Sequence, residues 1–388
     1  MKKLFSLFMS LFLASAPSVP APAAETQNDI WMYALSVGKA DAILLSVDGH
    51  TALIDTGYNY SRGRILAGMK EMGVEKLDAV FVTHLDNDHT GGLMWLAESD
   101  LEIGAWYASA MYTGIKKESK HDAVQAAAVR GEKVQFLQAG DQVLLGGALL
   151  KVLAPMQLME DKDDNNSLVM MMESSLGRIL LTGDIEYPAE QLLMNAVADL
   201  KCDVLKVANH ADNDTNSPAF TQRTSPAVAV ISTSGAEKPD TPDPRVVRML
   251  QEQGAAVYVT EACTGGVLVR LTGGTPEVTL RNVPESETKA SLIRAVPGDD
   301  LITLRCESGT GDLSGWVLAS DKGKEMYVFP EGTQLQPGSS LTIGTKSSPQ
   351  GSWDLLWDEK KVVNAKKEDI FTLYDAAGTR ISSVSNGL

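Results

Sequence analysis

The chain predicts an α+β protein in which two sheets carry helices on their outer faces and a small all-β sandwich follows. Three observations predict this. Between residues 30 and 272, apolar strand-like runs and helical periodicities alternate twice over. Beyond residue 300, short strands recur between Gly, Pro and Asp turns with no helical period. Where several of the apolar runs end, the chain places Asp and His.

The elements follow in order. Trp31–Leu35, Ala42–Val47 and Thr51–Ile54 predict three strands, with turns at Gly38 and Asp48–Gly49. Ile65, Leu66, Met69 and Met72 recur at helical spacing, and Gly73 stops that helix. Ala79–Thr83 is short, apolar and partly β-branched, a buried strand. A helix, a strand at Ala105–Tyr107, a helix over Asp122–Arg130 and strands near Val134–Leu137 and Leu149–Leu153 come next. Ser167–Glu173 and Arg178–Thr182 form a hairpin, Pro188–Leu200 is helical, and Val204–Ala208 is another buried strand. Pro226–Ser232, a helix over Pro244–Glu252, Ala256–Thr260 and Gly266–Leu271 complete the region. Residues 273–300 are rich in Gly, Pro, Glu and Ser and predict a linker. Strands at Leu301–Leu304, Gly315–Leu318, Met326–Phe329, Leu341–Ile343 and Phe371–Tyr374 make the terminal sandwich.

The chemistry concentrates after the Ala79–Thr83 strand. Residues 83–92 read Thr-His-Leu-Asp-Asn-Asp-His-Thr-Gly-Gly, so His84, Asp86, Asp88 and His89 fall within six positions. As a simple polar turn before a helix, these side chains would repel one another or go unsatisfied. As metal ligands, imidazole and carboxylate together suit zinc, manganese or iron, and the share of oxygen donors moves the expectation toward manganese. Other strand ends offer Asp55, Asp184 and His210. One sheet edge can gather them into a site for two divalent ions, with Asp184 reaching both.

The order Asp55-Thr56-Gly57, His84-x-Asp86-x-Asp88-His89-x-Gly91-Gly92, Gly183-Asp184 and a late strand-end His210 resembles the metallo-β-lactamase superfamily. More narrowly, Val37-Gly38-Lys39-Ala40-Asp41-Ala42, Asn166-Ser167-Leu168-Val169 and Leu180-Leu181-Thr182-Gly183-Asp184 resemble the hydrolase domain of ComEC-type competence proteins. The resemblance implies an αββα sandwich and two divalent ions, Zn or Mn. His84 and Asp86 would hold the first and Asp88, His89 and His210 the second, with Asp184 bridging and Asp55 supporting the ligands without binding an ion itself. Asp88 and Asp184 are the implied catalytic residues, and Asn166 is a further candidate for the first ion. The implied activity is hydrolysis of ester-like bonds, and in this branch of phosphodiesters in DNA. Two departures stand out: Asn209-His210-Ala211-Asp212 where relatives show His-His-Gly-Ser, and Thr241-Pro242 where they show His-Pro.

The last region resembles a lamin-tail domain, an immunoglobulin-like sandwich. Its marks include Asp312-Leu313-Ser314-Gly315-Trp316-Val317-Leu318, Tyr327-Val328-Phe329-Pro330, Trp357 and Leu373-Tyr374-Asp375-Ala376-Ala377-Gly378. It implies a module binding nucleic acid, cell envelope or protein. Lys360, Lys361, Lys366 and Lys367 cluster there and fit a solvated loop.

Lys2-Lys3, the apolar run to Ala14 and Ala21–Ala24 have the form of a secretory signal, so residues 1–24 are expected to be removed and the protein to work outside the cytoplasm. No later stretch could span a bilayer. The domains are then 25–272, the linker, and 301–388. The formal charge of −16 becomes more negative once Lys2 and Lys3 are gone, and such a surface repels polyanions at long range. Cys202, Cys263 and Cys306 are too few for a disulfide scaffold. His50 and His121 fit surface positions, residues 161–164 an exposed acidic loop, and the fifteen methionines core filler. The leading reading is an exported, metal-dependent phosphodiesterase or nuclease. The competing readings are a non-catalytic envelope or nucleic-acid binder on the same fold, and a hydrolase of a lactam or lactone.

Overall fold

A computed structural model describes residues 29–111, 121–159, 163–322 and 325–388. The expected signal segment, and Lys116, Lys117 and Lys120, lie outside them. The strands used below are β1 (Ile30–Leu35), β2 (Ile43–Val47), β3 (His50–Ile54), β4 (Ala79–Val82), β5 (Trp106–Ser109) and β6 (Val134–Leu137). β7 (Gln142–Leu145), β8 (Ala148–Ala154), β9 (Val169–Ser174), β10 (Gly177–Leu181) and β11 (Val204–Lys206) follow. β12 (Val228–Ile231), β13 (Ala256–Val259), β14 (Gly266–Leu271) and β15 (Glu277–Arg281) close the N-terminal domain.

The first sheet runs β15-β14-β1-β2-β3-β4-β5-β6 and the second β13-β12-β11-β10-β9-β8-β7. Each sheet is antiparallel in one half and parallel in the other: β3, β4, β5 and β6 are mutually parallel, as are β10 to β13. Alternation in the strands sets the layers. Ala79 and Phe81 of β4 point between the sheets with Met170, Met172, Ile179 and Leu181. Val80 and Val82 face the opposite way, against Ile65, Met69, Leu93 and Leu96 of the flanking helices. Leu180, Leu205 and Ala229 pack under Leu193, Phe220 and Leu250 on the far side. The result is a helix–sheet–sheet–helix sandwich. Its methionines alternate with the pleat, so Met170 and Met172 lie between the sheets and Met171 lies outside.

The stretch expected to be a linker instead holds β15 and β16 (Lys289–Val296), which is a correction. β15 is an edge strand paired with β14, and most of its side chains face solvent, so it carries little apolar alternation. β16 does alternate, but its register with the next strand shifts between Leu292 and Arg294, which breaks the period of two. The C-terminal domain continues with β17 (Leu301–Ser308), β18 (Val317–Ser320), β19 (Met326–Val328), β20 (Ser340–Gly344), β21 (Leu355–Leu356), β22 (Ile370–Tyr374) and β23 (Arg380–Ser385). Two four-stranded sheets, β16-β17-β20-β21 and β19-β18-β22-β23, enclose Trp316, Phe329, Trp357 and Phe371.

The two domains touch. Helix α1 (Arg62–Met72) begins against the turn Asp375–Thr379, where a Cβ on Gly63 would come within 2.6 Å of the Gly378 nitrogen. The next residue, Arg64, is buried and donates from Nη2 to the Thr379 hydroxyl at 3.3 Å. Tyr60 stacks on Tyr374 at 4.6 Å with the rings 7° from parallel. Among the described residues no helix is long and apolar enough to cross a membrane.

Candidate metal centre

Parallel strands release their carboxyl ends at one edge, and that topology assembles the centre. β3 leads into Asp55, β4 into His84, β10 into Gly183–Asp184 and β11 into Asn209–His210. Backbone bonds tie these ends together: Asp55 N to Phe81 O, Leu168 N to Thr83 O and Asn209 N to Gly183 O. Gly183 has φ +52, and a Cβ there would meet Ser167 Cβ at 2.7 Å. The Ser167 hydroxyl instead accepts from the Asp184 nitrogen at 3.2 Å, aiming that carboxylate inward. Asn209, His210 and Ala211 all have positive φ, 42°, 51° and 61°. Three consecutive left-handed non-glycine residues are costly, and here the strained turn delivers the His210 ring into the cluster.

Each imidazole is oriented through Nδ1. His89 Nδ1 donates to Asp55 Oδ2 at 2.7 Å, and Asp55 also accepts from the Thr83 nitrogen at 2.8 Å and hydroxyl at 2.7 Å. His84 Nδ1 lies 3.1 Å from the Thr83 hydroxyl oxygen, and His210 Nδ1 donates to Ser232 O at 2.7 Å. All three Nε2 atoms therefore face the interior of the site. His89 Nε2 is 3.2 Å and His210 Nε2 3.0 Å from Asp184 Oδ2, and His210 Nε2 is 3.6 Å from Asp88 Oδ2. His84 Nε2 and Asp184 Oδ1 are buried without a hydrogen-bond partner among the described residues. Buried polar atoms left in this state are expensive unless a cation meets them. The donor set, imidazole plus carboxylate, fits a divalent metal.

Donor atoms group within 4.8 Å of one another in sets that could hold such ions: His84, His89 and Asp184; Asp88, His89 and His210; and His84, Asp86 and Asp164. His84, Asp86, Asp88, His89, Asp184 and His210 are thus brought together, Asp86 at the exposed rim and His84, His89, Asp184 and His210 in the interior. Asp164 was missed. It belongs to the segment expected to be an exposed acidic loop, yet its Oδ1 lies 3.8 Å from His84 Nε2. Asn166 is otherwise engaged, accepting from Met159 N at 2.9 Å and donating to Met159 O at 2.8 Å. Asp212 pairs with Lys238. His50 is exposed and faces Asp78, as expected. His121 is a correction: it is fully buried, with Phe136 edge-on at 5.6 Å.

The electrostatics follow from crowding. Burial opposes the charge on His89, but the Asp184 and Asp55 carboxylates outweigh it and hold this imidazole well above its ordinary value. Burial likewise opposes His210, and Asp184 and Asp88 raise it. Burial, with His89 alongside, pushes His84 down. Against burial, His210, His89 and Lys39 hold Asp88 far below the usual carboxylate range, and His210 and His89 do the same for Asp184. The cluster supplies its own cations in this state. Lys39 Nζ is 2.8 Å from Asp88 Oδ2. Beneath the site, Lys206 Nζ and Asp41 Oδ2 form an ion pair at 2.7 Å, both side chains buried.

Comparisons with known proteins give the family of each domain. Residues 35–235 match the Metallo-beta-lactamase superfamily, and residues 272–387 match the Lamin Tail Domain. ComE operon protein 3 of Bacillus subtilis is 27% identical over 259 residues, covering 62% of this chain and 33% of the relative. Recombination protein 2 of Haemophilus influenzae is 27% identical over 241 residues, 61% of this chain and 28% of the relative. The chain thus spans about a third of the length of the curated relatives it matches. Among solved structures, the metallo-beta-lactamase fold protein YhfI from Bacillus subtilis covers 62% of this chain and 100% of its own, at 12% identity and a TM-score of 0.40.

Proposed function

The chain belongs to the metallo-β-lactamase superfamily, and on that premise we propose that it is a metal-dependent phosphodiesterase that acts outside the cytoplasm on DNA or nucleotides. The fold supports a metal-dependent hydrolase in general; the phosphodiester is our reading. The observation that carries it is the convergence of buried donors on one point, with His84 Nε2 and Asp184 Oδ1 lacking a partner among the described residues and His89 and His210 beside them. The name of one relative, Recombination protein 2, refers to recombination and favours DNA over a lactam.

In this reading His84, Asp86 and Asp164 would hold one divalent ion and Asp88, His89 and His210 the other, with the Asp184 carboxylate standing among both groups. When bound, Zn or Mn would supply Lewis acidity, lowering the pKa of water toward neutrality and neutralising charge on the phosphoryl oxygens. The chain's own groups do the rest. Asp55 and the Ser232 carbonyl fix the tautomers of His89 and His210, so that Nε2 presents a lone pair. Asp88, at the mouth of the site, orients the attacking water and accepts its hydrogen bond. Lys39 places an ammonium group at the same mouth, where it would meet phosphate oxygens of the substrate.

The test is turnover by the purified full chain of bis-p-nitrophenyl phosphate and single-stranded DNA with Mn²⁺ or Zn²⁺. Cleavage that EDTA abolishes and that Asp88→Ala loses is expected. Turnover of nitrocefin with none of either phosphodiester would favour the lactamase reading instead.

A further inference from the structure

A cleft of about 800 Å³ lies between the two domains and opens beside the metal centre. Its N-terminal wall includes Tyr58, Asn87 and Glu237, and its C-terminal wall Asp321, Tyr374 and Arg380. Asn87 sits between Asp86 and Asp88 in sequence, so one end of the cleft is the rim of the site itself. Tyr58 links the two regions. Its phenol, raised first by burial, also feels the carboxylates of Asp88 and Asp184 on one side and Glu237 on the other. Its ring stacks on Tyr60 at 5.1 Å, and Tyr60 stacks on Tyr374, so an aromatic ladder runs from the metal centre into the second domain.

The walls carry the wrong charge for a phosphate backbone. Glu237, Glu261 and Asp321 face the cleft, against Arg64, which is buried between the domains, and the exposed Arg380. Glu237 feels both Arg380 and Asp321, so the facing walls stand within electrostatic reach of each other. A run of phosphates would be repelled. A planar group that carries amino hydrogens suits the same surface, because carboxylates accept from exocyclic amines and an aromatic ring offers a stacking face. The volume is that of a small-ligand pocket rather than a duplex groove.

Building on the phosphodiesterase reading, we propose that the interdomain cleft is the base-binding subsite of that site, holding one nucleobase of the substrate on Tyr58 with its amino group toward Glu237 and Asp321. The C-terminal domain is then a wall of the substrate site, not a separate tether. Bases with exocyclic amines, adenine and cytosine, are favoured over thymine, which has none. Such a subsite takes a nucleotide or an unpaired strand and excludes paired duplex.

The experiment titrates uncharged nucleosides into the metal-free full chain by calorimetry and measures bis-p-nitrophenyl phosphate turnover of the loaded chain separately. Saturable binding of adenosine and cytidine, about tenfold tighter than thymidine and weakened about tenfold in Tyr58→Leu, is expected. The exposed Asp321→Ala variant, which leaves the aromatic ladder intact and removes one of the two acceptors, should reduce the preference for amine-bearing bases. No saturable nucleoside binding, or binding identical in both variants, overturns the subsite. Phosphodiester turnover without nucleoside binding overturns the subsite alone, whereas nucleoside binding without turnover overturns the phosphodiesterase reading and supports the subsite.

Discussion

Asp55 Oδ2 accepts the Nδ1 proton of His89 at 2.7 Å and the Thr83 hydroxyl at 2.7 Å, while Oδ1 accepts from the Thr83 nitrogen at 2.8 Å. The carboxylate never faces the metal side of the ring. It sets which nitrogen carries the proton and how basic the other is. Asp55→Asn keeps the shape and removes the charge, so metal affinity at this site should fall about 10- to 100-fold with the fold intact. Competition with a fluorescent chelator, alongside circular dichroism, reads both quantities. Unchanged affinity would show that Asp55 only fills space.

Asp164 completes the group around His84 and Asp86. Asp164→Ala should therefore weaken the first ion about tenfold or more and leave the second close to its original affinity. A metal titration of the variant should resolve two steps where the parent gives overlapping ones. Identical titrations would place Asp164 outside the site.

The raised pKa values of His89 and His210 make metal binding compete with protons. An imidazole ligates only when neutral, so below these raised values each binding event expels protons and affinity climbs with pH. It levels off above them. Asp88 and Asp184, held low, are already ionised near neutrality and add pH dependence only in acid. Stability of the metal-free chain runs the other way. The contribution of the two histidines is complete below about pH 6.5, the unfolded value, and is lost as pH rises through their folded values. That of the two aspartates is present above about pH 3.8 and is lost as pH falls through their depressed values. Metal affinity should therefore rise between about pH 6 and 8 while the metal-free melting temperature falls over the alkaline part of the scale. Calorimetry in buffers of differing ionisation enthalpy counts the released protons, and a count of zero would contradict the assignment.

Lys206 and Asp41 form a buried ion pair under the site, and Asp41 Oδ1 has no further partner among the described residues. Lys206→Met strands a carboxylate in the interior and should destabilise the chain by about 3–5 kcal/mol. Asp41→Leu added to Lys206→Met should recover most of the loss, since a packed apolar pair replaces an ionic one at little cost. Urea unfolding of the metal-free protein measures both. Additive losses would mean that the two groups do not act as a pair.

Much of the centre was legible because its residues sit at the ends of short, apolar strands. The run Ala79–Val82 announces a buried strand, and His84 to His89 follow it directly; Asp184 and His210 repeat the arrangement after β10 and β11. What failed lacks that local signal. Asp164 lies on a turn between strands, and only the tertiary fold brings it to His84. His121 stands next to a lysine-rich stretch, which suggested the surface, but the fold packs its ring over Phe136. β15 is paired through its backbone at a sheet edge, a contact that leaves no mark on side-chain pattern. The interdomain cleft was invisible for a related reason: Tyr58, Glu237, Asp321 and Arg380 come from four separate segments, and nothing in any one of them foretells the others.

Elemental analysis of the full chain, reconstituted with Mn²⁺ or Zn²⁺ and freed of excess metal, tests the central claim most directly. Two divalent ions per chain, with Asp184→Asn falling to one or none, is the predicted result. A chain that binds no ion, or whose content is the same with and without the Asp184 carboxylate, would contradict a centre in which this residue joins two metals.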